Sequence, residues 1–169
     1  MSRPLPEPLS WGHINLNVSD LDRAIAFYQL LGFEVLLDGI PYLSLNAEKG
    51  FDRLPAEAAE ALDLPPGTSA RGCILQLGNG FPKLDLTELS VQSATPPLDN
   101  ADRGLVRLCL ASRDLAADYE RLAAAGVEFL TPPRACTDRM ADIALCRDPD
   151  GTLIELIQLH LDRWPGSGR

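Results

Sequence analysis

The sequence predicts an α+β fold built from two βαβββ modules in one chain, and three observations carry that prediction. Alternation of apolar and polar residues within Trp11 to Val18 runs straight into helical spacing that stops at a glycine. The same order returns at one offset: His13 and Arg107, Asp20 and Asp114, and Gly32 and Gly126 each stand 94 residues apart. The closing strands, Leu84-Asp85-Leu86 and Ile154-Glu155-Leu156, also match, at an offset of 70.

Each element has a local reason. Ile14, Leu16 and Val18 share one face of the first strand and His13, Asn15 and Asn17 the other, as period 2 requires of a half-buried strand. Ser19-Asp20 supplies an N-cap, and apolar residues from Leu21 to Leu31 recur at helical spacing. Gly32 stands where a left-handed C-cap residue is wanted. In the second half Arg107 to Ser112 is the strand, Asp114 the cap, and the helix runs through Tyr119 and Leu122 to Gly126. Asp148-Pro-Asp-Gly151 reads as the hairpin turn before the last strand.

The difference between offsets of 94 and 70 makes the first half 24 residues longer. That excess is assigned to an insertion near 48–69, where Ala56 to Leu62 reads as a short helix and Pro65-Pro66-Gly67 as a turn. It fits a lid or a plain surface elaboration. The first module is then 11–92, a polar, proline-bearing linker 93–103, and the second module 104–160.

Composition excludes several function classes. The net charge of -9 repels phosphate backbones and anionic membranes, and no basic cluster offsets it. No apolar run approaches the ~20 residues of a spanning helix, and the first ten residues hold three prolines and no signal-like core, so a cytoplasmic location is expected. The four cysteines form no C-x-x-C pair and are expected reduced.

Two motifs then carry a resemblance. The opening "GHINLNVSDLDRAIAFYQLLGFEV" and the closing "CRDPDGTLIELIQ", each in its own βαβββ module, are similar to the vicinal-oxygen-chelate superfamily of glyoxalase, bleomycin-resistance and extradiol-dioxygenase proteins. The resemblance spans nearly the whole chain. It implies cupped mixed sheets that enclose a shared cleft for one small organic molecule, and it admits a homodimer. Strand parity, placed in that frame, points His13, Asn15 and Asn17, Asp85, Thr87 and Leu89, and Arg107, Cys109 and Glu155 inward, with Glu88 on the opposite face.

The metal enzymes of this family place ligands on the first and last strand of each module. Carried over, the four positions are His13, Asp85, Arg107 and Glu155. His13, Asp85 and Glu155 could hold a divalent iron, manganese, nickel or zinc ion. Arg107 cannot, because its guanidinium keeps its proton. At ~4 Å from a divalent ion its charge repels by about 8 kcal/mol at an effective dielectric of ~20, so the absence of a metal is the expectation, with Arg107 held between Glu155 and Asp85.

The expected catalytic groups are Glu155, His13 and Arg107. Asn15, Asp85, Arg107 and Cys109 are the expected ligand-binding groups, although a structural Arg107–Glu155 ion pair and a packing role for Cys109 stand beside that reading. The resemblance implies lyase, isomerase or dioxygenase-like chemistry on a carbonyl or vicinal-oxygen substrate. The alternative it implies is a non-catalytic binding protein of the bleomycin-resistance type. With aromatics at 6% of residues, a stacking groove is harder to build.

Overall fold

The computed structural model describes residues 9–165. Contacts divide the chain into two units: residues up to Leu21 together with Gly32–Val91, and Asp22–Leu31 together with the residues from Gln92 on.

The first unit is a mixed sheet of β1 (His13–Asn17), β2 (Phe33–Leu37), β6 (Ser69–Leu77) and β7 (Lys83–Leu89), in the order β1-β7-β6-β2. β1 and β7 run parallel with Asn15 opposite Asp85, and β6 and β7 form an antiparallel hairpin. Cys73, Leu75, Leu84 and Leu86 are among its buried apolar residues. Glu88, on the face opposite Asp85 and Thr87, accepts the Leu21 amide at 2.8 Å and Arg71 Nε at 2.7 Å.

Between β2 and β6 lies the long connection 38–68. It holds a small hairpin of β3 (Gly39–Ile40) and β4 (Leu45–Asn46), a one-turn 3-10 helix at Pro41–Leu43, a short strand β5 (Asp52–Arg53) on β6, and helix α2 (Ala56–Ala61). Ile40, Leu43, Leu45, Leu54, Ala58 and Ala59 gather over Ala70 of β6 as a core of their own. The insertion therefore begins ten residues before the sequence places it, because Gly39 and Pro41 turn the chain where alternation alone shows no break. It is packed, not a loose elaboration. Gly72 lets it seat: a Cβ there would stand 2.9 Å from Ile40 Cδ1 and 2.7 Å from the Leu86 carbonyl oxygen.

The second unit repeats the sheet with β8 (Arg107–Ala111), β9 (Phe129–Ala135), β10 (Ala141–Arg147) and β11 (Leu153–Leu159), in the order β8-β11-β10-β9. β8 and β11 run parallel with Cys109 opposite Glu155, the counterpart of Asn15 opposite Asp85. Helix α3 (Leu115–Ala124) is capped by Asp114, whose side chain accepts the Ala117 amide at 3.0 Å. It ends before Gly126, at φ +90.

Helix α1 (Leu21–Leu30) follows β1 in sequence, yet from Asp22 on its contacts group it with the second unit. Its Tyr28 hydroxyl, fully buried, donates to Asp148 Oδ2 at 3.0 Å, and Arg121 Nη1 of α3 donates to the Leu30 carbonyl at 2.9 Å. Sequence order alone joins α1 to the module of β1. Asp148 is the hub of the 148–151 turn: its Oδ1 accepts the amides of Asp150 and Thr152, at 3.0 and 2.8 Å.

Candidate functional site

In the first unit, parity puts His13, Asn15 and Asn17 on the open face of β1, and Thr87 and Leu89 of β7 share that side. With the insertion they line a cavity of about 280 Å³. One end is polar: His13, Asn15, Asn17, Thr87 and Tyr42. The wall is Leu43, Leu45, Leu54, Leu62, Leu64 and Leu89.

The polar end is ordered by two hydrogen-bonded chains. In one, the Thr87 hydroxyl donates to Asn15 Oδ1 at 2.9 Å and Asn15 Nδ2 donates to Asn17 Oδ1 at 3.0 Å. Thr87 thereby fixes the orientation of both amides and turns the Asn17 NH2 into the end donor of the chain. In the other, the Tyr42 hydroxyl donates to Asp85 Oδ2 at 2.6 Å, while His13 Nε2 stands 3.5 Å from that hydroxyl and 3.7 Å from Oδ2. Asp85 is 1% exposed and its Oδ1 has no partner. Burial, and then the Asp85 carboxylate, hold the Tyr42 phenol above its ordinary range, so it stays a donor at neutral pH.

In the second unit Arg107 Nε donates to Glu155 Oε2 and its Nη1 to Asn100 Oδ1 at 2.9 Å. The Cys109 thiol donates to Glu155 Oε1 at 3.4 Å. Desolvation and then the Glu155 carboxylate push that thiol up to about 11, which leaves it protonated and a poor nucleophile at neutral pH. Glu155 is nearly buried with both oxygens engaged.

The structure thus joins His13 to Asp85 and Arg107 to Glu155 and Cys109. Within the first unit the Asp85 carboxylate takes the Tyr42 hydroxyl, a partner that the sequence did not suggest. Tyr42 and Asn100 went unread because they lie in a turn and a linker with no period to betray them. The one available signal was Gly72, an isolated glycine in a strand, which marks the close approach of another segment.

Within either unit the donor set does not fit a divalent metal: His13 and Asp85 face a protonated phenol, Glu155 is neutralised by Arg107, and among the described residues no three His, Cys, Asp or Glu side chains of one unit converge as ligands.

The match to known proteins has the same extent as the duplicated fold. The family model for the Glyoxalase/Bleomycin resistance protein/Dioxygenase superfamily covers residues 10–156. The chain belongs to that superfamily. It is 37% identical to a lactoylglutathione lyase of Pseudomonas aeruginosa, over 94% of this chain and 87% of the relative. A lactoylglutathione lyase of Pseudomonas putida is 28% identical, over 92% and 88%. Among solved structures, a glyoxalase family protein from Bacillus cereus superposes with a TM-score of 0.72 at 15% identity, over 94% of this chain and 99% of that one, a likeness of fold. Superfamily members bind small molecules, and among the described residues no helix is long and apolar enough to cross a membrane.

Proposed function

We propose that this superfamily member is a small-molecule enzyme of the lyase or isomerase kind that moves a proton beside a carbonyl, with its ligand in the first unit's cavity. The observation that carries the reading is the pair His13 and Tyr42 in the polar end of the cavity, with the buried Asp85 carboxylate bonded to Tyr42 and 3.7 Å from His13. His13 takes the proton from the carbon next to the carbonyl, and the electron pair moves onto the carbonyl oxygen to give an enolate. The Asn17 amide, turned outward by Asn15, donates to that oxygen. Asp85 stabilises the imidazolium that forms, and Tyr42 holds Asp85 in place. The lyase name of the Pseudomonas relatives supports the reaction class.

Arg107 and Glu155, first read as catalytic groups, serve in this reading as a structural ion pair of the second unit, since each satisfies the other.

The test is incorporation of solvent deuterium beside the carbonyl of a panel of neutral 2-hydroxyketones, followed by NMR. Exchange should fall ~100-fold or more in His13→Ala and persist in the presence of a chelator. Equal exchange by the wild type and His13→Ala would sink the proposal. Saturable binding with no exchange would establish the second reading, a binding protein, which the leucine wall of the cavity favours.

A further inference from the structure

The ligand class can be taken further than the relatives' name, on the reading that the first unit's cavity is the ligand site. The wall is six leucines, five of them from the insertion. The described cations of this unit are Lys49, Arg53, Arg71 and Lys83, and none of them lines the cavity. Arg71 is bound to Glu88, and Lys83 Nζ donates to Gln76 Oε1 at 3.0 Å. Arg53 lines a different pocket, beside α2. Within the unit, the charge bonded to the polar end is negative: Asp85 accepts the Tyr42 hydroxyl and has one oxygen unpartnered.

A ligand with free carboxylates would enter this space against Asp85, with no fixed cation in the unit to receive it. Desolvating an unpaired carboxylate is costly. A neutral ligand meets no such cost, and each buried methylene contributes about 0.8 kcal/mol. The volume, about 280 Å³, stands just below the ~300–1,000 Å³ of small-molecule sites.

We infer that this cavity takes a neutral, mainly apolar small molecule with one carbonyl or hydroxyl oxygen seated on Asn17, and that it disfavours an anionic thiol-peptide conjugate of the kind the relatives are named for. The insertion 38–68 is the specificity element. Leu62, half exposed at the end of α2 and in the cavity wall, is its test point.

The neutral fluorophore N-phenyl-1-naphthylamine serves as the probe, titrated into the full-length protein. One saturable site is expected, displaced by 1-hexanol at concentrations at least tenfold below those at which S-hexylglutathione acts. Leu62→Asp should weaken the probe tenfold or more. Val91→Asp adds the same charge at an exposed position outside the cavity and should change affinity less than twofold. Thermal melts confirm that both variants fold, and Leu62→Ala, expected to weaken the probe less than Leu62→Asp, replaces the latter if it does not. The inference is overturned by S-hexylglutathione displacing the probe as well as or better than 1-hexanol, by equal effects of the two aspartate variants, or by the absence of a saturable site. Failure of deuterium exchange with probe binding intact strikes only the catalytic reading, whereas loss of saturable binding with His13-dependent exchange intact strikes only this one.

Discussion

The two sheets share strand order and register, yet they solve one packing problem in opposite ways. At the place on β6 where the first sheet has Gly72, opposite Thr87, the second has Ile143 of β10, opposite Ile157. The second sheet covers that spot with its own side chain, and its connection 136–140 is five residues long. The first leaves the spot bare so that Ile40 of the insertion can fill it. The facing pairs differ in the same spirit. Asp85 keeps one oxygen unpartnered beside a cavity, whereas Glu155 has both engaged. The first sheet carries the insertion and its cavity, whereas in the second Arg107 and Cys109 are engaged by Glu155.

The sharpest way to break this comparison is through Ile40, which is fully buried. Ile40→Ala should cost about 2–5 kcal/mol of stability. Ile143→Ala, at a partly exposed position, should cost clearly less. Equal losses in denaturant melts would show that the insertion is not part of the first unit's core.

Gly72→Ala comes next, at about 1–3 kcal/mol from overpacking, because the new methyl meets both Ile40 and the Leu86 carbonyl. It should also weaken the cavity's ligand, although Gly72 does not line the cavity. A stable variant with unchanged melting temperature would remove the seat from the account.

The two carboxylates sharpen the contrast further. Glu155→Gln should cost about 1–2 kcal/mol by weakening a charge-assisted bond, a figure moderated by the partial exposure of Arg107. Asp85→Asn removes a buried charge with a single hydrogen bond, and should shift stability by less than ~0.5 kcal/mol or raise it. The reverse ranking would mean that Asp85 is the structural group.

The smallest effect is in pH. Burial raises the Asp148 carboxyl above its ordinary 3.8, against hydrogen bonds from Thr152, Tyr28 and Asp150 that pull the other way. Between the two values the folded chain holds a proton that the unfolded chain has released. This contribution to stability is complete below 3.8 and is lost as pH rises through the folded value. The stability of the wild type relative to Asp148→Asn should therefore grow as the solution is acidified from neutral toward pH 3.8. A constant difference across that range would refute it.

Much of this was legible in the sequence. Period 2 identified the open face of β1, and the paired offsets matched His13 with Arg107 and Asp85 with Glu155; the cross-strand register, Asn15 opposite Asp85 and Cys109 opposite Glu155, came only with the structure. The legible part ends where side chains meet across irregular chain. Tyr42 sits in a 3-10 turn closed by Ser44 at φ 56, and its bond to Asp85 spans 43 residues that carry no period. The grouping of α1 with the second unit was equally hidden, since a buried hydroxyl on Tyr28 and a turn aspartate at 148 are unremarkable until they touch.

The side-chain-free seat at Gly72 makes the insertion an exchangeable part. The insertion enters and leaves through β2 and β6, and five residues close the same two strand positions in the second sheet. Chains with the same sheets could therefore carry different segments there and acquire different pockets, while the polar row of β1 and β7 stays in place. For protein engineering, this separates two choices that are usually entangled: the polar end of the pocket can be kept as a chassis, and the shape of the molecule it admits can be rewritten by grafting a new cassette between Leu37 and Ser69.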